Sequence, residues 1–319
     1  MQSFKISIFS LIFVFVILLS VIHYRVEIKN TIILDIANGS STSSIATSLH
    51  DNKIILNPTI FKMYVRLSSN DHKFKAGEYK FKSTHSIHSI VDKLTKGDFF
   101  YRKLTLLPGS TISNILKLGN SEGLLNDMAT DPENLLKKYG INLQEGIFFP
   151  DTFFYLKGEK FSSILLKSNK KWKKISKELW DNRNLNLPLK NLNEAVTLAS
   201  IIEKEGLEKR KIAGVFINRL NKDMKLQSDP TVIYALGNEF DGNLTRKNLQ
   251  IDNTYNTYRY KGLPPGPISI VSYDSLEAAL NPLLSDYLYF VSMGNGFHKF
   301  SKTLTEHNEA VLKYQINER

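Results

Sequence analysis

The sequence contains no cysteine. That removes disulfide staples, a thiol nucleophile and any thiolate metal site. Arginine is also scarce. Although 42 Lys and Arg against 31 Asp and Glu leave a net charge of +11, only nine of those cations are Arg. The bidentate fork that grips phosphate is therefore rare, which argues against a nucleic-acid-binding role. A glycine-rich phosphate loop, a His-Glu-x-x-His zinc helix and a Gly-x-Ser-x-Gly elbow are all missing, and the seven histidines show no ligand spacing. Nor is there an internal repeat or a low-complexity tract. Apolar material, by contrast, is plentiful: 42% hydrophobic residues and 11% aromatics over 319 residues exclude disorder for the bulk of the chain. That is enough for about two domains.

Residues 6–24 carry no formal charge and are bracketed by Lys5 and Arg25. At about 1.5 Å per residue this run reaches about 28 Å, close to the hydrocarbon thickness of a bilayer. It ends Ser20-Val21-Ile22-His23-Tyr24, without the small-residue site that a cleaved signal peptide needs. The expectation is an uncleaved single-pass transmembrane anchor over residues 1–25. Its orientation is weakly set, because Lys5 is balanced by Arg25 and Lys29.

Residues 26–100 read as a small α+β unit. Thr31–Ile36 is a strand candidate, Ser43–His50 a short helix, and Asn57-Pro58 an N-cap opening a helix over Thr59–Leu67. A strand over Lys75–Phe81 and a helix over Ser86–Lys96, closed by Gly97, follow. The strand-helix-helix-strand order is similar to LysM modules, which hold N-acetylated glycans; a plain spacer is the competing reading. Residues 101–319 form the larger α+β domain. It contains an aromatic segment, Glu145–Phe154, and an amphipathic helix, Ser162–Asp181, whose Lys170, Lys171, Lys173 and Lys174 read as a solvated face.

The chemistry concentrates further on. Residues 193–206 form an apolar helix that ends in two carboxylates, Glu203 and Glu205. Two residues apart, they diverge by about 160° around the axis and cannot act as one pair. Geometry alone barely separates them, but Glu205 immediately precedes Gly206, a helix stop. There the negative end of the helix dipole and apolar neighbours both favour a protonated carboxyl, which is what a general acid needs. A solvated Glu at a helix end is the bland alternative. Asp229-Pro230 reads as an N-cap with proline at the first helical position, so Asp229 is structural rather than a second catalytic carboxylate. Tyr255, Asn256, Thr257 and Tyr258 lie in one polar-aromatic loop and Gly262–Ile268 in a proline-stiffened one; rings and amides of this kind stack on sugars and bond their hydroxyls. Gly294-Asn-Gly296 signals a hairpin, a closing helix runs from about Thr305 to Gln315, and His298 reads as a strand-face residue rather than a base.

Taken together, Ala199–Glu205, Val215–Leu220, Leu226–Thr231, Tyr255–Tyr258 and Gly262–Gly266 resemble the endolytic murein transglycosylase (YceG-like) family. The resemblance extends to the N-terminal run, to Lys75–Tyr79 and to Tyr287–Val291. It implies a membrane-anchored enzyme of the inner (plasma) membrane, facing the periplasm, that cuts nascent peptidoglycan strands internally at the β-1,4 bond between N-acetylmuramic acid and N-acetylglucosamine. The second Glu of the Glu-Lys-Glu motif, Glu205, is the implied catalytic residue. Gln227, Ser228 and Asp229, with Tyr255, Asn256, Thr257 and Tyr258, are the expected glycan contacts. Many relatives carry Thr where this chain has Gly206. No metal or cofactor is implied; glycan strands, the membrane and peptidoglycan synthases are the implied partners. The alternative from another class is a non-catalytic glycan-binding scaffold for envelope assembly.

Overall fold

The computed structural model describes residues 20, 22–70 and 73–316, and these fall into two compact units. The first holds the described residues up to Lys103 together with Phe154–Glu159; the second holds Leu104–Phe153 and the rest from Lys160.

In the first unit, β1 (Val26–Ile36) pairs antiparallel with β2 (Gly77–His85), with Ile32 opposite Phe81 and Ile36 opposite Gly77. Between them come α1 (Thr42–Asp51) and α2 (Pro58–Leu67), and α3 (Ile87–Lys96) follows. Each helix has a chemical start signal. Ser41 accepts from the Ser44 amide, Asn57 accepts from the amides of Thr59 and Ile60, and Ser86 with Ser89 forms a capping box. Gly97 closes α3 at φ 74°, a left-handed position open to glycine at no steric cost. The alternate residues of β2 and one stripe of each helix meet in a single core of Leu49, Phe61, Tyr79, Phe81, Ile90 and Leu94. Tyr79 brings a hydroxyl into that core and satisfies it on the carbonyls of Lys75 and Leu94. Glu78 is held bidentate by Arg102 at 2.9 Å, so its buried charge is compensated.

Two expectations are corrected here. The mixed α+β character is present, but no transmembrane helix is found among the described residues. Most of the proposed span, residues 6–19, lies outside the described residues. Among the described residues no helix is long and apolar enough to cross a membrane. The longest, 21 residues over Phe161–Asp181, has length but not apolarity: it buries Ile164, Leu165 and Trp172 on one face and carries its lysines on the other. The single-pass anchor, the inner-membrane location and the membrane as a partner are therefore withdrawn. The likeness of residues 26–100 to LysM modules rests on element order alone and is not confirmed.

The second unit begins near β3 (Arg102–Thr105), which pairs with β4 (Thr152–Tyr155). Two short helices, α4 (Ile112–Lys117) and α5 (Pro132–Lys137), lie between them, and α6 (Phe161–Asp181) follows. The centre is α7 (Leu192–Glu205), in which Ala195 through Ile202 are all buried. A helix apolar on every side must be covered on every side; α6, α8 (Lys209–Asn221) and α10 (Tyr273–Leu280) pack around it, with α9 (Asp229–Leu236) on its flank. Each fully buried Leu, Ile or Phe of this cluster contributes about 1.5–3 kcal/mol. Its polar intruder, Ser200, is satisfied: it donates to the Thr197 carbonyl and accepts from the Ile268 amide. Gly214 allows α8 to touch the chain behind it, since a Cβ there would lie 2.4 Å from the Leu283 carbonyl oxygen. The hairpin β5 (Tyr289–Ser292) and β6 (His298–Ser301) turns over Gly294 and Gly296, both at positive φ, and α11 (Leu304–Val311) closes the unit with a π turn over Leu312–Ile316.

Candidate active site

A cleft of about 710 Å³ opens in the second unit where α7 ends. Glu205 is the last residue of that helix, and the cleft wall is completed by α8, by the segment entering α9, by the β5–β6 hairpin and by α11. Helix α7 is pinned by its buried flanks, so its last residue is aimed by the core rather than by a loop. Burial lifts the Glu205 carboxyl to about 7, with the nearby Asp229 charge pushing the same way. Ser228, donating to Oε1 at 2.5 Å, and the Arg219 charge pull it back down. Part of the side chain still meets the cleft. The balance is that of a group able to give a proton and to take one near neutral pH.

Glu203 differs. Its carboxylate is held by Lys209 Nζ at 2.9 Å and by the amide and hydroxyl of Ser272 at 2.8 and 2.5 Å. Desolvation opposes these bonds but is outweighed, and the group sits below the usual carboxylate range. It is a structural anion that ties α7 to the start of α8 and of α10.

The expected glycan contacts divide. Gln227, Asp229 and Tyr258 line the cleft with Glu205. Gln227 is held at φ 50°, a left-handed position for a residue with a side chain, which places strain beside the acid. Ser228 reaches Glu205 directly, and its own backbone is fixed from behind: Thr257 Oγ1 accepts from its amide and Thr231 donates to its carbonyl. The N-cap of α9 is Ser228 rather than Asp229. Asp229 begins the helix and accepts from the Tyr258 hydroxyl at 2.5 Å, an arrangement that raises the Tyr258 pKa beyond its usual range through burial and that bond.

Asn256 and Thr257 do not face the cleft. They are 0% and 2% exposed, and the Asn256 amide spends both donor bonds on the carbonyls of Leu249 and Ile251. Together they hold the loop that presents Tyr258. Tyr255 turns the other way and packs against Tyr234, ring centroids 4.9 Å apart.

Several cleft residues are given no role in the site by the sequence. Arg219, at the end of α8, donates from Nε to the Leu288 carbonyl and from Nη1 to the Leu226 carbonyl, and lies over the Tyr289 ring at 5.3 Å. His307 stacks on the same Tyr289 ring, 5.2 Å away and tilted 24°. His298 stands on β6, edge-on to Phe290, with Glu208 near its Nδ1 at 3.5 Å. Its ring covers Gly206 so closely that a Cβ there would lie 2.8 Å from Cε1. A threonine at 206 would collide with it, which gives this chain's glycine a physical reason. A second carboxyl, Glu145, is also lifted to about 7 by burial, although it accepts from the Ile112 amide at the start of α4 and from Tyr234. It does not line the cleft. Among the described residues no group of three His, Asp or Glu is placed to hold a metal ion.

The profile of the YceG-like family matches residues 34–313. A protein of Bacillus subtilis (strain 168) named endolytic murein transglycosylase is 34% identical over 311 residues, covering 90% of this chain and 85% of its own length. One of the same name from Streptococcus pneumoniae is 28% identical over 90% of this chain, which spans only 59% of that longer protein. A crystal structure of a yceG-like protein from Listeria monocytogenes, 34% identical, covers 88% of this chain and 99% of its own, with a TM-score of 0.52.

Proposed function

The chain belongs to the YceG-like family, and from that premise we propose that it cuts peptidoglycan glycan strands internally with Glu205 as the single acid and base. It is a lytic transglycosylase, a lyase acting on peptidoglycan. The bond is the β-1,4 link between N-acetylmuramic acid and N-acetylglucosamine. Protonated Glu205 gives its proton to the departing oxygen. The carboxylate left behind then takes the proton of the muramyl 6-hydroxyl, whose oxygen closes onto the anomeric carbon as a 1,6-anhydro ring. One group serves both steps because the nucleophile belongs to the substrate, so the hydrolytic pair at fixed separation is not needed.

The observation that carries this reading is Glu205 itself, poised at about 7 on the floor of a polar cleft and steadied by Ser228. Ser228 has a part in both states: its hydroxyl donates to the carboxylate once the proton has left. Asp229 is engaged by Tyr258 and acts through its field, favouring the protonated form of Glu205. Gln227 and Tyr258 are the side chains that meet the sugar. The test is mass analysis of products from uncrosslinked glycan strands. Chains ending in 1,6-anhydro-muramic acid are expected; chains ending in free reducing sugars would overturn the mechanism, and intact strands would favour a glycan-binding scaffold.

A further inference from the structure

Arg219 is 6% exposed, yet among the described residues it forms no ion pair with a carboxylate. A buried guanidinium without a counter-charge is costly, by several kcal/mol in typical cases. Two of its nitrogens are fixed on main-chain carbonyls, so the plane of the group is set before any ligand arrives. The third, Nη2, donates to no protein group among the described residues, and the residue lines the cleft. Tyr289 supports the guanidinium on one side, and His307 stacks on that same ring. The His307 Nδ1 is buried without a partner. Asn308, next to it on α11, contributes an amide to the same wall. The nearby acid Glu205 is already engaged by Ser228. Glu205 and Asp229 line the same cleft, but neither forms an ion pair with the guanidinium among the described residues, and its Nη2 is left for a ligand.

We propose that Arg219, with His307 and Asn308, forms an anion subsite that takes a carboxylate carried on the lactyl arm of the muramyl residue. This rests on the peptidoglycan reading above and adds to it a determinant of substrate choice. Two sources can supply that carboxylate. In peptide-free strands it is the lactyl carboxyl itself; in peptide-bearing strands it is an acidic group of the stem peptide. A preorganised, desolvated guanidinium discriminates a carboxylate from its neutral amide by about tenfold or more.

Four substrates separate these cases: peptide-free and peptide-bearing uncrosslinked strands, each native or with its carboxyls converted to methylamides. KM and kcat are measured on all four with the parent enzyme and with Arg219→Gln, whose fold is checked by circular dichroism. The parent should show KM at least about tenfold higher on the amidated partner of one pair, with kcat little changed, and Arg219→Gln should erase the difference. Discrimination in the first pair assigns the lactyl carboxyl, and in the second alone the stem peptide. Equal KM across both pairs in the parent overturns the proposal. So does a kcat that falls equally on all four substrates in the variant, because Arg219 would then serve Glu205 rather than the ligand. If Arg219→Gln fails to fold, the parent's comparison stands, and His307→Ala, on the outer wall, must shrink the discrimination. Products lacking anhydro ends would instead count against the reaction itself, whatever the KM pattern.

Discussion

Replacing Glu205 by Gln should abolish activity and stabilise the protein, and the second effect should depend on pH. Gln keeps the volume and still accepts from Ser228, but it carries no proton to give. Positioned acid–base catalysis is typically worth about 10²–10⁴ in rate, and here one group serves both steps, so activity should fall at least that far. The stability argument follows from linkage. The carboxyl is lifted from 4.5 to about 7 in the folded state. Between those values the folded chain binds more protons than the unfolded one, so stability falls as pH rises through the window. Below 4.5 both states are protonated and Glu costs nothing relative to Gln. Above about 7 the charge is buried at full cost, about 3 kcal/mol at 1.36 kcal/mol per pKa unit. Urea unfolding of parent and variant at pH 4.5, 6 and 8 reads this directly. The two should coincide at the lowest pH and separate progressively, with the variant more stable. A gap that does not vary with pH would refute the buried-carboxylate reasoning, and full activity in Glu205→Gln would refute the assignment.

Much of this site was legible in the sequence because helices announce themselves by period and caps. The apolar run Ala195–Ile202 and the glycine after Glu205 were enough to place an acid at the end of a buried helix. Position before Gly206 favoured Glu205 over Glu203, but the partners that separate the two were not visible there. Lys209 and Ser272, six and 69 positions from Glu203, are what make it a structural anion, and no local pattern reports a partner that far along the chain. The same holds for Arg219. In sequence it sits in the family-like run Val215–Leu220 with no role assigned to it, and only the arrival of Leu288 and Tyr289 from the hairpin buries it. Asn256 and Thr257 show the opposite error. Polarity in a loop suggested ligand contacts, but the loop needed those groups for its own main chain. The transmembrane expectation rested on the uncharged, charge-bracketed run 6–24 and on the resemblance, and most of that run lies outside the described residues, among which no helix is long and apolar enough to cross a membrane.

Three further outcomes follow from the electrostatics around α7. Ser228→Ala removes a bond that favours the Glu205 carboxylate, so the alkaline limb of the pH–rate profile, where the acid loses its proton, should move to higher pH. Asp229→Asn removes a charge that favours the protonated form, so the same limb should move to lower pH; parallel shifts in the two variants would contradict this account. Glu203→Gln should leave the chemistry of folded enzyme within about tenfold of the parent while lowering stability by about 1–3 kcal/mol, because the half-buried Lys209 loses its counter-charge and the Ser272 amide and hydroxyl lose a carboxylate acceptor. Its sign with pH is opposite to that of Glu205. The Glu203 pKa is depressed in the folded state, so its contribution is present above the unfolded value and is lost as pH falls through the folded one. The stability gap between Glu203→Gln and the parent should therefore close in acid, while that of Glu205→Gln opens toward alkali. Unfolding curves of both variants measured across one pH series decide it: both gaps should widen toward alkali with opposite signs, Glu203→Gln below the parent and Glu205→Gln above it, and gaps of one sign would mean that the two carboxyls share one environment, against the division of roles that their different partners imply.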